Sequence, residues 1–303
     1  MLIPLLLQSC FTGVESTPKI TYREVKENKA DGTSPEAAFA AGFSPQKFTD
    51  WQEGKPFYVT SDRIGLVLAP DNSEYRDIEP KEGDVIFYDG VRTVADLTGN
   101  EIAELLFRQS DGSNGRFAYR TGYTVKELSE RVTVEIPFAI DLDLVKEWDR
   151  ALAGKEYYIK TPLWVDGNGN QQKGKKFVKV KIRSVKAANE VYPFMVVFED
   201  ESGNMQGVFM ASQNDARWAP RAFPAVFSFT DPHAQYPKIT DAMWNNIQNT
   251  RVAEGMTKTE ASLALGTPAN IDRGHDHSSA YERWRYSDGV YLIFEDGLLT
   301  RHN

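Results

Sequence analysis

The heptapeptide Gly54-Lys55-Pro56-Phe57-Tyr58-Val59-Thr60 returns further along the chain as Gly154-Lys155-Glu156-Tyr157-Tyr158-Ile159-Lys160. A second set follows in the same order. Leu105-Leu106-Phe107, Asp111-Gly112 and Gly115-Arg116-Phe117 match Val196-Val197-Phe198, Ser202-Gly203 and Gly207-Val208-Phe209. Each copy follows a helix-like stretch holding a tryptophan, Trp51 or Trp148. Two matches in register predict a duplication, so the chain must house one kind of unit twice.

Within a copy the signals are strands and turns. Residues Phe177 to Arg183 alternate, with Val178, Val180 and Ile182 on one face and Lys179, Lys181 and Arg183 on the other, the period of a half-buried strand. Asp166-Gly167-Asn168-Gly169-Asn170 is turn chemistry, since Gly and Asn accept positive φ. Met195–Phe198 and Gly207–Met210, joined through Glu199–Gly203, read as a hairpin. Several short strands per copy predict a multi-domain, mainly β and α+β chain. Its two related modules, 36–120 and 121–210, would be small β-barrels of the Src-homology kind. Residues 211–238 carry Pro220, Pro224, Pro232 and Pro237, which excludes a long helix or central strand. A connector packing through Trp218, Phe223, Phe227 and Phe229 is expected there.

Residues 239–303 are the most explicit. Thr240 caps a helix through Trp244 and Ile247, with Ile239 and Trp244 at hydrophobic-staple spacing. Thr257-Lys258-Thr259-Glu260 is a capping box opening a second helix, stapled by Met256 and Ala261 and stopped by Gly266 and Pro268. A polar loop, then Trp284 and Tyr286 in alternation, Val290–Phe294 and Leu298–Thr300 complete a two-helix, three-strand (ααβββ) unit. Such a unit is marginal alone and is expected to lean on the modules before it.

Four elements of this stretch carry a resemblance: Gly255-Met256-Thr257, Leu265-Gly266-Thr267-Pro268, Trp284-Arg285-Tyr286, and Phe294-Glu295-Asp296-Gly297-Leu298. In order and chemistry they resemble the SmpA/OmlA/BamE family of envelope lipoproteins. The resemblance implies the two-helix, three-strand fold also seen in proteinaceous β-lactamase inhibitors, and a role in binding other envelope proteins. The two upstream repeats lie outside that family, so the resemblance supports an envelope binding role rather than any named complex.

The amino terminus points the same way. Leu7-Gln8-Ser9-Cys10 resembles a lipobox, with leucine at −3 and a small residue at −1, which makes Cys10 the expected lipidation site. No Lys or Arg precedes it and the apolar run of residues 1–10 is short for a signal peptide, so a truncated start is expected. Residues 11–35 lack a sustained apolar period and read as a tether. With one cysteine no internal disulfide can form, and no later stretch reaches 18 consecutive apolar residues.

A net charge of −8 makes nucleic acid a poor default partner. Gly-x-Ser-x-Gly, His-Glu-x-x-His and phosphate-loop patterns are absent, and no cofactor or metal is expected. His275-Asp276-His277, with Asp272 nearby, offers too few ligands for a metal and reads as a solvated loop. Asp166–Asn170 lacks the later ligands of a calcium loop. Lys173, Lys175, Lys176, Lys179, Lys181 and Arg183 form a basic face, read as protection of a strand edge. The pairs Asp141/Asp143 and Asp200/Glu201 are the carboxylates an envelope hydrolase would need, the least favoured reading. The sequence is therefore read as a noncatalytic, lipid-anchored envelope protein, on the outer membrane, that binds other envelope proteins. Trp284, Tyr286 and Tyr291 are the candidate contact residues, and a cell-wall glycan or peptide binder is the alternative.

Overall fold

The recurring Gly-Lys step sets each repeat's first strand. In a computed structural model describing residues 34–72, 74, 78–109, 115–211, 221–276 and 279–303, Gly54 donates its N–H to the Tyr88 carbonyl and Gly154 to that of Ile182. Both glycines have positive φ, 90° and 80°, where a side chain would be strained. The strands that follow, β1 (Pro56–Val59) and β7 (Glu156–Ile159), bury alternate residues.

Around β1 lie β2 (Leu68–Pro70), β3 (Val85–Ala95), β4 (Glu101–Gln109), β5 (Arg116–Arg120) and β6 (Ala139–Asp141), in the order β2-β5-β4-β3-β1-β6. Around β7 lie β8 (Leu163–Val165), β9 (Gln171–Lys173), β10 (Val178–Ala187), β11 (Phe194–Glu199), β12 (Met205–Met210) and β13 (Phe227–Ser228), in the order β13-β7-β10-β11-β12-β8-β9. Read from β6 and from β13, the two orders coincide, and β9 is one extra strand on the second. The register agrees as well. Asp141 and Ile140 stand opposite Phe57 and Tyr58, while Ser228 and Phe227 stand opposite Tyr158 and Ile159. Thr60 and Lys160 donate their N–H groups to Phe138 and Val226.

The expected barrels are not there. Every described pairing is antiparallel and each sheet ends in unpaired edges, β2 and β6 in one, β13 and β9 in the other. Closure would need those edges to pair with each other. They are two or three residues long, and β2 ends on Pro70, which has no N–H to offer. The fold is instead mixed α and β, built on open sheets.

Helices cover what closure would have hidden. Asp141, the last residue of β6, caps α3 (Leu142–Leu152) by accepting from the Asp143 and Leu144 N–H groups. Its buried face of Leu144, Val145, Trp148 and Leu152 packs on the second sheet. Three shorter helices are α1 (Pro35–Ala40), α2 (Val125–Glu130) and α4 (Phe223–Val226). Phe39 of α1 and Phe43 beyond it lie against Trp148, with Phe43 stacked at 4.1 Å. Residues 211–238, expected to connect, supply α4, the edge strand β13 and α5 (Pro232–Gln235); Trp218 lies outside the described residues. The first sheet likewise takes β6 from beyond residue 120.

The terminal part has α6 (Asp241–Gln248) and α7 (Lys258–Leu265), with Thr240 and the Thr257/Glu260 box as caps. Its sheet has four strands, not the expected three: β14 (Asn270–Asp276), β15 (Ser279–Arg285), β16 (Tyr291–Glu295) and β17 (Leu298–His302). β14 is the stretch expected as a loop. It is polar and carries Gly274, yet Tyr281 lies over that glycine, where a Cβ would come within 2.5 Å of its hydroxyl. Cross-strand pairs Arg285–Asp272 and Arg273–Glu282 hold the rest. This sheet leans on the second one through Phe177, which joins Trp244 in the terminal core. Pro35–Asn303 form one unit.

Candidate functional site

Strand alternation sorts β15 into two faces. Glu282, Trp284 and Tyr286 turn toward the helices. Trp284 is buried against Phe294 at 4.7 Å and donates from Nε1 to Glu282 at 3.1 Å. Burial alone would raise the Glu282 carboxyl, but hydrogen bonds from Lys258, Trp284 and Arg273 hold it down to about 2. Tyr286 is half-buried, donates to the Gly266 carbonyl at 3.2 Å, and is pushed up to about 12 by burial and the Asp288 charge. Of the three residues expected at a contact surface, only Tyr291 is exposed.

The other face is open and was not read from the sequence. Tyr281, Arg283 and Arg285 alternate with the buried set, and cross-strand register puts Glu295, Ile293 and Tyr291 beside them. Arg283, Arg285, Tyr291 and Ile293, with Tyr286, Gly289 and Val290, line a hollow of about 330 Å³. Arg285 pairs with Asp272 at 2.7 Å and Arg301 with Glu295 at 3.1 Å. Arg283, flanked by Asp272 and Ile293, is exposed and has no ion-pair partner among the described residues. Arginine and tyrosine around an aliphatic centre is the composition that concentrates binding energy at protein interfaces. The signal was available: Arg283 and Arg285 fall one residue out of phase with Trp284.

Other candidate groups are engaged locally. Asp141 and Asp143 receive the buried Lys55 ammonium at 2.8 and 3.4 Å, which occupies that carboxylate pair. Asp200 and Asp166 accept backbone N–H groups two and four residues on, as turn formers. Lys179 pairs with Glu156, Arg183 with Glu199, and Lys176 donates to the last turn of α7, so half of the basic face is used in cross-strand or capping contacts. His275 lies on β14; His277 and Cys10 lie outside the described residues. No described helix is long and apolar enough to cross a membrane.

A larger cleft, about 600 Å³, lies between the first sheet and the β10–β11 loop. Trp51, Phe57, Phe138, Ile140, Leu144 and Phe194 form its walls. No local motif announces it, because these residues come from separate stretches of chain.

Scanned against protein-family models, curated protein sequences and solved structures, the chain finds no match.

Proposed function

We propose that this is a noncatalytic, lipid-anchored cell-envelope protein that binds another envelope protein through the open face of its terminal sheet. Arg283, without an ion-pair partner among the described residues and set among Arg285, Tyr291 and Ile293, carries the reading. A guanidinium kept free beside an aliphatic centre can take a carboxylate of a partner bidentately while the flanking side chains exclude water. The lipobox-like Leu7-Gln8-Ser9-Cys10 and the motif resemblance of residues 255–298 support the envelope setting. The carboxylate pair Asp141/Asp143, which a hydrolase would need free, is tied to Lys55.

The test is a crosslinked pull-down from detergent-solubilised envelopes with the full chain and its Arg283→Glu and Tyr291→Ala variants. Both positions are exposed, so the variants keep the fold. A discrete envelope protein recovered with the parent and lost with Arg283→Glu supports the reading. Equal recovery with all three removes this face from consideration. Recovery of cell-wall glycan alone moves the function to the paired sheets.

A further inference from the structure

The duplication supplies an internal comparison. On the second sheet, the face beside β13 is covered by the chain itself. Phe39 of α1 packs on Phe223 and Phe229 at 5.2 and 5.5 Å, and Phe43 stacks on Trp148. Glu36 of the same helix accepts the Phe229 N–H at 3.0 Å, and its charge acts on Lys160. Register converts these positions to the first sheet: Thr60 stands for Lys160, Asp141 for Phe229 and, counting back along the chain, Glu135 for Phe223. Thr60, Glu135 and Asp141 all line the 600 Å³ cleft. The position that α1 fills on one sheet is open on the other.

Two observations say what the open copy lacks. The Thr60 hydroxyl is buried in the cleft wall with no hydrogen-bond partner among the described residues, whereas the ammonium of its counterpart Lys160 reaches the Pro224 carbonyl at 2.7 Å. The charge is also reversed. The filled copy offers a cation to an acidic helix start, while the cleft offers acids. Asp141 and Glu190 are paired with Lys55 and Arg63, and Glu135 is exposed with no ion-pair partner among the described residues.

We propose that this cleft takes a short helical segment of another protein bearing two aromatic side chains four residues apart with a lysine or arginine beside them. The aromatic pair packs on Trp51, Phe138 and Phe194 of the cleft walls, since acids stand where Phe223 and Phe229 do, the base meets Glu135, and a polar group of the segment satisfies Thr60. The surface is separate from the terminal sheet, so this inference stands or falls without the pull-down.

The probe is a fluorescein-labelled synthetic peptide copying Pro35–Gln46 with Glu36→Lys, read by anisotropy against the full chain. Saturable binding below about 1 mM is expected. Glu135→Lys, an exposed change, should weaken it about fivefold and shift preference to the peptide that keeps glutamate. Replacing both peptide phenylalanines with alanine should abolish binding, as should Val191→Trp, which fills the cleft. A photo-crosslinking version should label Phe138 or Val191. Absence of saturation, affinity unchanged in Glu135→Lys, or crosslinks to Trp148, which would mean exchange with α1, overturns the proposal. So does a concentration-dependent dimer of the unmodified chain that crosslinks Phe43 to Val191, since α1 of a second copy would then be the occupant.

Discussion

Lys176 donates from Nζ to the Ala264 carbonyl at 3.1 Å, so a residue of the bend between β9 and β10 closes the last turn of a helix in the terminal part. Leu263 lends a second carbonyl, and the Lys176 N–H itself goes to Gln248. Unpaired carbonyls at a helix end attract a cation. The next residue, Phe177, adopts φ 56° to put its ring into the terminal core.

Burial pushes the Lys176 ammonium down to about 8 from 10.5. The folded state then sheds its proton first, and between those two pH values the unfolded chain binds more protons. Stability attributable to this group therefore rises with pH across that window, by at most about 3 kcal/mol. Thermal melts of the parent and Lys176→Met from pH 7.5 to 10.5 should diverge upward for the parent. Parallel curves would show that the ammonium is not desolvated.

Glu282 has the opposite sign. Its carboxyl is held at about 2, so its contribution is complete above the ordinary value of 4.5 and is lost as pH falls from there toward 2. Glu282→Gln should be less stable than the parent at pH 6, by about 1–3 kcal/mol. Most of the gap between the denaturant midpoints of the two proteins should close by pH 2.5. A gap that persists in acid would mean that packing, not charge, is what the substitution removes.

Lys55 and Lys155 hold the same place in the two repeats and should respond differently. Lys55 is 4% exposed and bonded to Asp141, Asp143 and Gln46. Lys55→Met leaves Asp141 uncompensated, at a cost of about 3 kcal/mol. Lys155 is exposed, its ammonium 6.0 Å from the Phe39 ring, and Lys155→Met should shift stability by no more than about 0.5 kcal/mol. Urea midpoints with a shared slope would check both, and equal losses would contradict the difference in burial.

Cys10→Ser should move the protein from the membrane to the soluble fraction and abolish incorporation of labelled palmitate. Unchanged fractionation would remove the lipid anchor from the proposed function.

The strands of the repeats were legible because periodicity is local. Val178, Val180 and Ile182 lie on the buried face that their spacing announces, and the caps at Thr240 and Thr257 stand where the sequence puts them. Closure was not legible, because it depends on which edges meet. β6, lying beyond the second matched segment, and β13, among the prolines, each add an edge that a Src-homology barrel would not have. β14 was missed since Asp272, Arg273 and His275 give no apolar period; its partners on β15 hold it. The sites followed the same rule. Arg283 could have been placed by phase against Trp284, whereas the cleft beside Thr60 could be recognised only once register aligned the two sheets.

Asp141 is at once the end of β6, the cap of α3 and the anchor of Lys55, which leaves no slack between the first sheet and the helix that covers the second. One substitution at this position therefore disturbs a strand end, a helix cap and a buried ammonium together.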